Sequence, residues 1–132
     1  MTKRILFGLT ALASVVVAQD EASYQKWMKE MGKEIGILRK ADPRTGPDVA
    51  ASAEKIAVLN DQSRGFWVQR GGSEDAVKWS DEGKSAALEL AAAARSGDVT
   101  AASSAFTKVG GTCKSCHDAH REKLADGTYK IK

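Results

Sequence analysis

The sequence predicts an all-α fold, an antiparallel four-helix bundle, on three observations. Larger apolar residues recur at spacings of three and four along most of the chain, the period of a helix face. Breaks at Asp42-Pro43 and Gly46-Pro47, at Gly71-Gly72 and at Ser96-Gly97-Asp98 divide that pattern into four segments of roughly 20 to 25 residues. No strand-like alternation runs beyond four residues. Long helices joined by short links lie antiparallel to their neighbours.

The first helix runs from about Tyr24, with Trp27, Met28, Met31, Ile35 and Leu38 on one face. The two prolines stop it, because proline lacks an N–H donor and clashes with the preceding turn. Pro47 then suits the first turn of the second helix, which aligns Val49, Ala53, Ile56, Leu59, Ser63, Phe66 and Trp67. Ser73 followed by Glu74 and Asp75 reads as the start of the third, with acids where the helix dipole favours them. Its inner face carries Ala76, Trp79, Gly83, Ala86, Leu90 and Ala94, and its alanine content favours helix strongly. Asp98 caps a fourth helix with Ala102, Phe106, Val109, Cys113 and Cys116 along one side. Asp126-Gly127 is expected to close it and Thr128 to Lys132 to form a loose polar tail. With only 6% aromatic residues and many alanines, such a bundle has a thin core and room for something large in its middle.

The 132 residues suffice for one domain. Ahead of it, Lys3 and Arg4 precede an apolar run from Ile5 to Val17, with Val16 and Ala18 at the −3 and −1 sites of a cleavage point before Gln19. That is the layout of a secretory signal peptide, and the run is short for a membrane span, although an uncleaved anchor competes with it. The expected organisation is a cleaved signal over residues 1–18 and the bundle over 19–132, in the periplasm or otherwise exported, with no membrane insertion after cleavage. Cleavage removes Lys3 and Arg4, which takes the formal charge from +3 to +1, with 18 basic against 17 acidic side chains. No basic run or aromatic-interleaved stripe supports nucleic-acid binding.

Chemistry gathers in GGTCKSCHDAHREK, residues 110–123, which holds both cysteines, Cys113 and Cys116, and both histidines, His117 and His120. A disulfide between such close cysteines would constrain little chain. On a helix, Cys113, Cys116 and His117 (i, i+3, i+4) project to one side. CxxCH in this geometry suits covalent haem attachment: two thiols form thioethers and the adjacent imidazole reaches the iron. Zinc, which takes four ligands, a thioredoxin-like redox pair, which expects a strand–helix context, and a chance CxxCH are the alternatives.

CKSCHDAHREK near the C-terminus of an exported four-helix chain resembles the class II c-type cytochromes, the cytochrome c′ family. YQKWMKEMGKEI, KWSDEGKSAALELAAAARSGD and FTKVGGTCKSCHDAHR extend the likeness along nearly all of the mature chain. The resemblance implies one haem c held by Cys113 and Cys116, with His117 as proximal ligand and helix one facing helix four across the haem. Five-coordinate members usually place an apolar residue such as leucine on the distal side, open to small gases. Low-spin c-556-type relatives place a methionine there, within L-M-K-x-x-G. Here Trp27-Met28-Lys29-Glu30-Met31-Gly32 puts Met28 in that position, with Met31 as the alternative.

The reading that follows is an exported one-electron carrier with His/Met-ligated iron, not an enzyme, exchanging electrons with protein partners. The alternative is a five-coordinate protein that binds nitric oxide or carbon monoxide. Arg121 matches a basic residue that the family keeps after CxxCH, either lying near the ligand histidine and tuning the iron by its charge or lying at the surface. His120 stands where relatives have Tyr or Phe. Relatives often form homodimers through their first two helices.

Overall fold

The computed structural model describes residues 20–132, so the expected signal peptide lies outside the described residues. Four helices follow one another: α1 (Glu21–Lys40), α2 (Pro47–Arg70), α3 (Glu74–Ser96) and α4 (Val99–His120). Two short strands, β1 (Arg121–Lys123) and β2 (Tyr129–Ile131), complete the chain.

Local chemistry sets the helix ends. The Asp20 carboxylate accepts from the Ser23 N–H at 2.7 Å and that of Asp98 from Ala101 at 2.9 Å, satisfying donors that the first turn of a helix leaves without partners. Pro47 occupies the start of α2. Gly97, at φ +73°, takes the left-handed conformation that ends α3 and lets α4 begin almost at once.

The helices pack in chain order, α1 on α2, α2 on α3 and α3 on α4. Leu38, Ile56, Leu90 and Val109, one from each helix, are fully buried in the shared core. Each contributes about 1.5–3 kcal/mol relative to exposure. Between them lie small residues, Ala53, Ala87, Ala94 and Ala102, which allow the helix axes to approach closely. Packing is tight at Gly83, where a Cβ would stand 2.6 Å from Asn60 Oδ1 and 3.1 Å from Thr112 Oγ1. A second cluster, Tyr24, Phe66, Trp67 and Ala76, closes the end of the bundle where α4 terminates. Across the outside, Arg64–Asp81, Lys84–Asp61 and Arg95–Glu54 tie α2 to α3, and Lys108–Glu89 ties α3 to α4. These pairs are exposed and add about 0–1 kcal/mol each.

The expected end of the chain needs correcting. α4 stops at His120, and the segment beyond it is an antiparallel hairpin pairing Arg121 with Ile131 and Lys123 with Tyr129. Asp126-Gly127 forms its turn: Gly127 sits at φ +85°, and the Thr128 N–H and hydroxyl both donate to Asp126 Oδ1, at 2.9 and 2.6 Å. The Arg121 guanidinium lies 3.9 Å above the Tyr129 ring, and the Lys132 N–H returns to the His120 carbonyl at 3.0 Å. Asp-Gly serves helix caps and hairpin turns alike, and strands of three residues show no alternation to decide between them. No helix among the described residues is long and apolar enough to cross a membrane.

Candidate functional site

Every residue expected on the inner faces of α2 is buried, whereas several on α1, α3 and α4 are only half-buried. The half-buried set includes Met28, Ile35, Trp79, Phe106, Cys113 and Cys116, and all six line one cleft of about 680 Å³. α1 and α4 form its two walls, and Asn60, Ser63 and Ser80 reach it from α2 and α3. A void of this size lies in the range of small-molecule and cofactor sites.

On the α4 wall, Cys113, Cys116 and His117 come together as their spacing requires. The cysteines are free thiols. Burial raises both of them, Cys116 to about 11, so they stay protonated. Burial also holds the His117 imidazole below its ordinary value, and the neighbouring Arg121 charge pushes it the same way. The result is a neutral imidazole whose lone pair can serve a metal.

The α1 wall presents Tyr24, Met28, Met31, Gly32 and Ile35. Met28 is half-buried and also lines an adjoining cavity of about 270 Å³ together with His117. Met31 is buried and belongs to the core cluster. Tyr24 stacks on Phe66 at 4.5 Å and meets Trp67 edge-on at 5.6 Å. Burial, and then the proximity of Cys116, raise its phenol well above the ordinary value.

Arg121 lines both voids and stacks on Tyr129, so it is exposed and close to His117 at once. His120 lines the smaller cavity but not the cleft. Its Nε2 stands 2.9 Å from Asp75 Oδ1, and its ring lies 4.8 Å from Trp67 and 6.2 Å from Trp79. The imidazole therefore supplies a flat wall to the smaller cavity, and it ties α4 to the start of α3.

Several cleft residues were not singled out from the sequence. Tyr24 precedes Met28 by one helical turn and Arg39 follows Ile35 by one, so the apolar stripe could have been extended to both. Asn60, which donates to the Ile56 carbonyl at 3.0 Å, and Thr112, which donates to that of Val109 at 2.8 Å, carry no comparable signal.

The residues present fit a covalently held haem. Two protonated thiols and a neutral imidazole share one wall, soft and apolar side chains face them, and Arg39 and Arg121 line the void with charge suited to haem carboxylates, while Lys114 there is paired with Asp118. Comparison with known proteins agrees. A family model described as Cytochrome C′ matches residues 72–121. The chain is 32% identical over 136 aligned residues to the cytochrome c′ of Rhodospirillum rubrum, covering 86% of this chain and 92% of that protein. Two solved structures are each 25% identical and cover 84% of this chain and 93% of theirs. One is a cytochrome c′ with an unusual ligand-controlled dimer dissociation (TM-score 0.61) and the other is cytochrome c′ from Thermochromatium tepidum (TM-score 0.60). Fold, site and relatives converge: the chain belongs to the cytochrome c′ family of class II c-type cytochromes, monohaem proteins that carry one covalently attached haem c.

Proposed function

We propose that the protein is an exported cytochrome c′ in which Cys113 and Cys116 hold the haem through thioethers, His117 is the proximal ligand, and the distal side takes a small gas such as nitric oxide or carbon monoxide. The observation that carries this reading is the chemistry of the α1 wall. Met28, Met31, Gly32 and Ile35 offer thioethers and hydrocarbon to the cleft but no strong nitrogen or oxygen ligand. The one phenol there, Tyr24, is buried against Phe66 and Trp67 and kept protonated. Haem, when bound, supplies a redox-active iron with one face left to a weak ligand or to none. The chain holds that face in an apolar setting, and the proposed role includes no bond chemistry on an organic substrate. Relatives bearing the cytochrome c′ name support the same choice.

A second reading, the His/Met-ligated electron carrier, is favoured by one specific observation. Met28 lines both voids beside His117 and stands where c-556-type relatives carry their ligand. Absorption spectra of the ferric and ferrous holoprotein, with and without carbon monoxide, separate the two for the native chain and Met28→Leu. A high-spin ferric spectrum and a ready shift with the gas in both proteins support the gas binder. A low-spin native spectrum that resists carbon monoxide and turns high-spin in Met28→Leu would replace it with the electron carrier.

The proposal extends to export and assembly. Removal of residues 1–18 would be seen as a mature mass beginning at Gln19. A homodimer is supported by the relative whose dimer dissociates under ligand control, and by the exposure of Ile37 on α1 and Val58 on α2. Sedimentation with and without carbon monoxide tests it.

A further inference from the structure

The formal charge of the mature chain, +1, conceals a strong asymmetry. α1, α4 and residues 121–132, which border the cleft and the smaller cavity, carry eleven basic and six acidic side chains, a balance of +5. α2 and α3, behind them, carry six basic and eight acidic, a balance of −2. Two haem carboxylates would leave the cleft side at +3.

Pairing sharpens the contrast. Among the described residues, five of the six cations on α2 and α3 meet a carboxylate within 4.0 Å: Lys55, Arg64, Lys78, Lys84 and Arg95. None of the five on α1 does, and neither does Arg121 or Lys123, although Lys108 and Lys114 on α4 are paired with Glu89 and Asp118. Lys26, Lys29 and Lys33 follow helical spacing and form one stripe on α1. Lys29 opens onto the smaller cavity beside Arg121 and Lys130, and no carboxylate lines that cavity. Lys130 does meet Glu122 at 3.4 Å across the hairpin. By contrast, the groove between α3 and α4 is lined by Asp81, Glu82 and Glu89 against Lys108 alone.

Lysines left without partners on the natively folded chain contribute nothing to its internal pairing and produce an outward field over the cleft mouth. We infer that the α1 and hairpin side of the cleft mouth is the docking surface of an acidic redox protein, which exchanges one electron with the haem there. The inference rests on the haem reading but on neither choice of sixth ligand, since a gas binder also needs a reductant to reach its ferrous form. A membrane surface fits less well: Lys29 and Lys130 line a concave opening rather than a flat face, and the Tyr129 ring beside them stacks under Arg121.

Voltammetry of the holoprotein on self-assembled monolayers tests the surface with a partner of defined chemistry. On a carboxylate-terminated monolayer at low salt, the native protein should adsorb and give a haem wave, with coverage about tenfold above that on an ammonium-terminated one. Lys29→Glu with Lys33→Glu should lower the coverage on carboxylate toward the ammonium value, while Lys78→Glu, on the back, should not. Equal adsorption on both monolayers, or equal losses in the front and back variants, would overturn the inference. So would retention on anionic phospholipid vesicles with no adsorbed wave on carboxylate, which would assign the surface to a membrane. A hydroxyl-terminated monolayer reports diffusing protein and needs no docking. Absence of a haemochrome spectrum from the same protein would sink the haem reading itself, whereas a haemochrome with no adsorption on carboxylate would sink only the docking surface.

Discussion

Replacing Gly83 with alanine sets two effects of opposite sign against each other. In a helix interior, alanine is favoured over glycine by about 0.8–1.0 kcal/mol. The new Cβ, however, would stand 2.6 Å from Asn60 Oδ1 and 3.1 Å from both Asn60 Cγ and Thr112 Oγ1. Neither neighbour can retreat without cost, because Asn60 is buried and bonded to the Ile56 carbonyl, and Thr112 to that of Val109. Overpacking of this kind costs about 1–3 kcal/mol. Losing the Asn60 hydrogen bond costs about 1 kcal/mol more. The expected net effect is a destabilisation of about 1–3 kcal/mol, read from urea unfolding of the holoprotein. Gly36→Ala is the control: its Cβ meets nothing within 4 Å, so it should stabilise by up to about 1 kcal/mol. Adding Asn60→Ala should recover part of the Gly83→Ala loss. If Gly83→Ala stabilises as much as Gly36→Ala, the close approach of α3 to its two neighbours is refuted.

Three other expectations concern the site and its surroundings. Cys116→Ser should leave the haem attached through Cys113 alone, with an altered haemochrome band and haem retained on a denaturing gel, and only the double cysteine variant should release it. The Asp75 carboxyl is held below its ordinary value of 3.8 by the hydrogen bond with His120. Its contribution to stability is therefore present above that value and lost as pH falls through the lower folded one, so Asp75→Asn should flatten the acid side of the stability profile. Tyr129→Ala removes the ring under Arg121 and should cost the hairpin about 0.5–1 kcal/mol, seen as faster amide exchange at Leu124 and Lys132.

The helices were legible in the sequence because prolines, glycines and capping acids mark every break. The faces of α2 were legible because it packs on both sides and its stripe is buried as a unit. α1 and α4 were less so: Met28 and Cys113 lie on the expected faces, but those faces border a void rather than a neighbouring helix. Glu34 is buried at 7% exposure, held by Lys55 at 3.5 Å, and a polar residue inside an apolar stripe gives no periodic signal. The CxxCH segment spoke for itself because its residues are adjacent. The role of His120 depends on Asp75, 45 positions away, and no local pattern can report such a contact. Met28 came from likeness to known sequences, since a methionine on a helix face otherwise reads as packing.

The neighbour-by-neighbour packing of the helices has a consequence for the order in which the protein is made. Each helix finds its main partner next to it in the chain, so three local pairings suffice to build the bundle, and such folds form quickly. The cleft is the exception, because it lies between the first helix and the last. The wall that α1 contributes thus leaves the ribosome long before Cys113 and Cys116 do. α1, packed mainly on α2, can therefore be in place before α4 brings the opposite wall of the cleft.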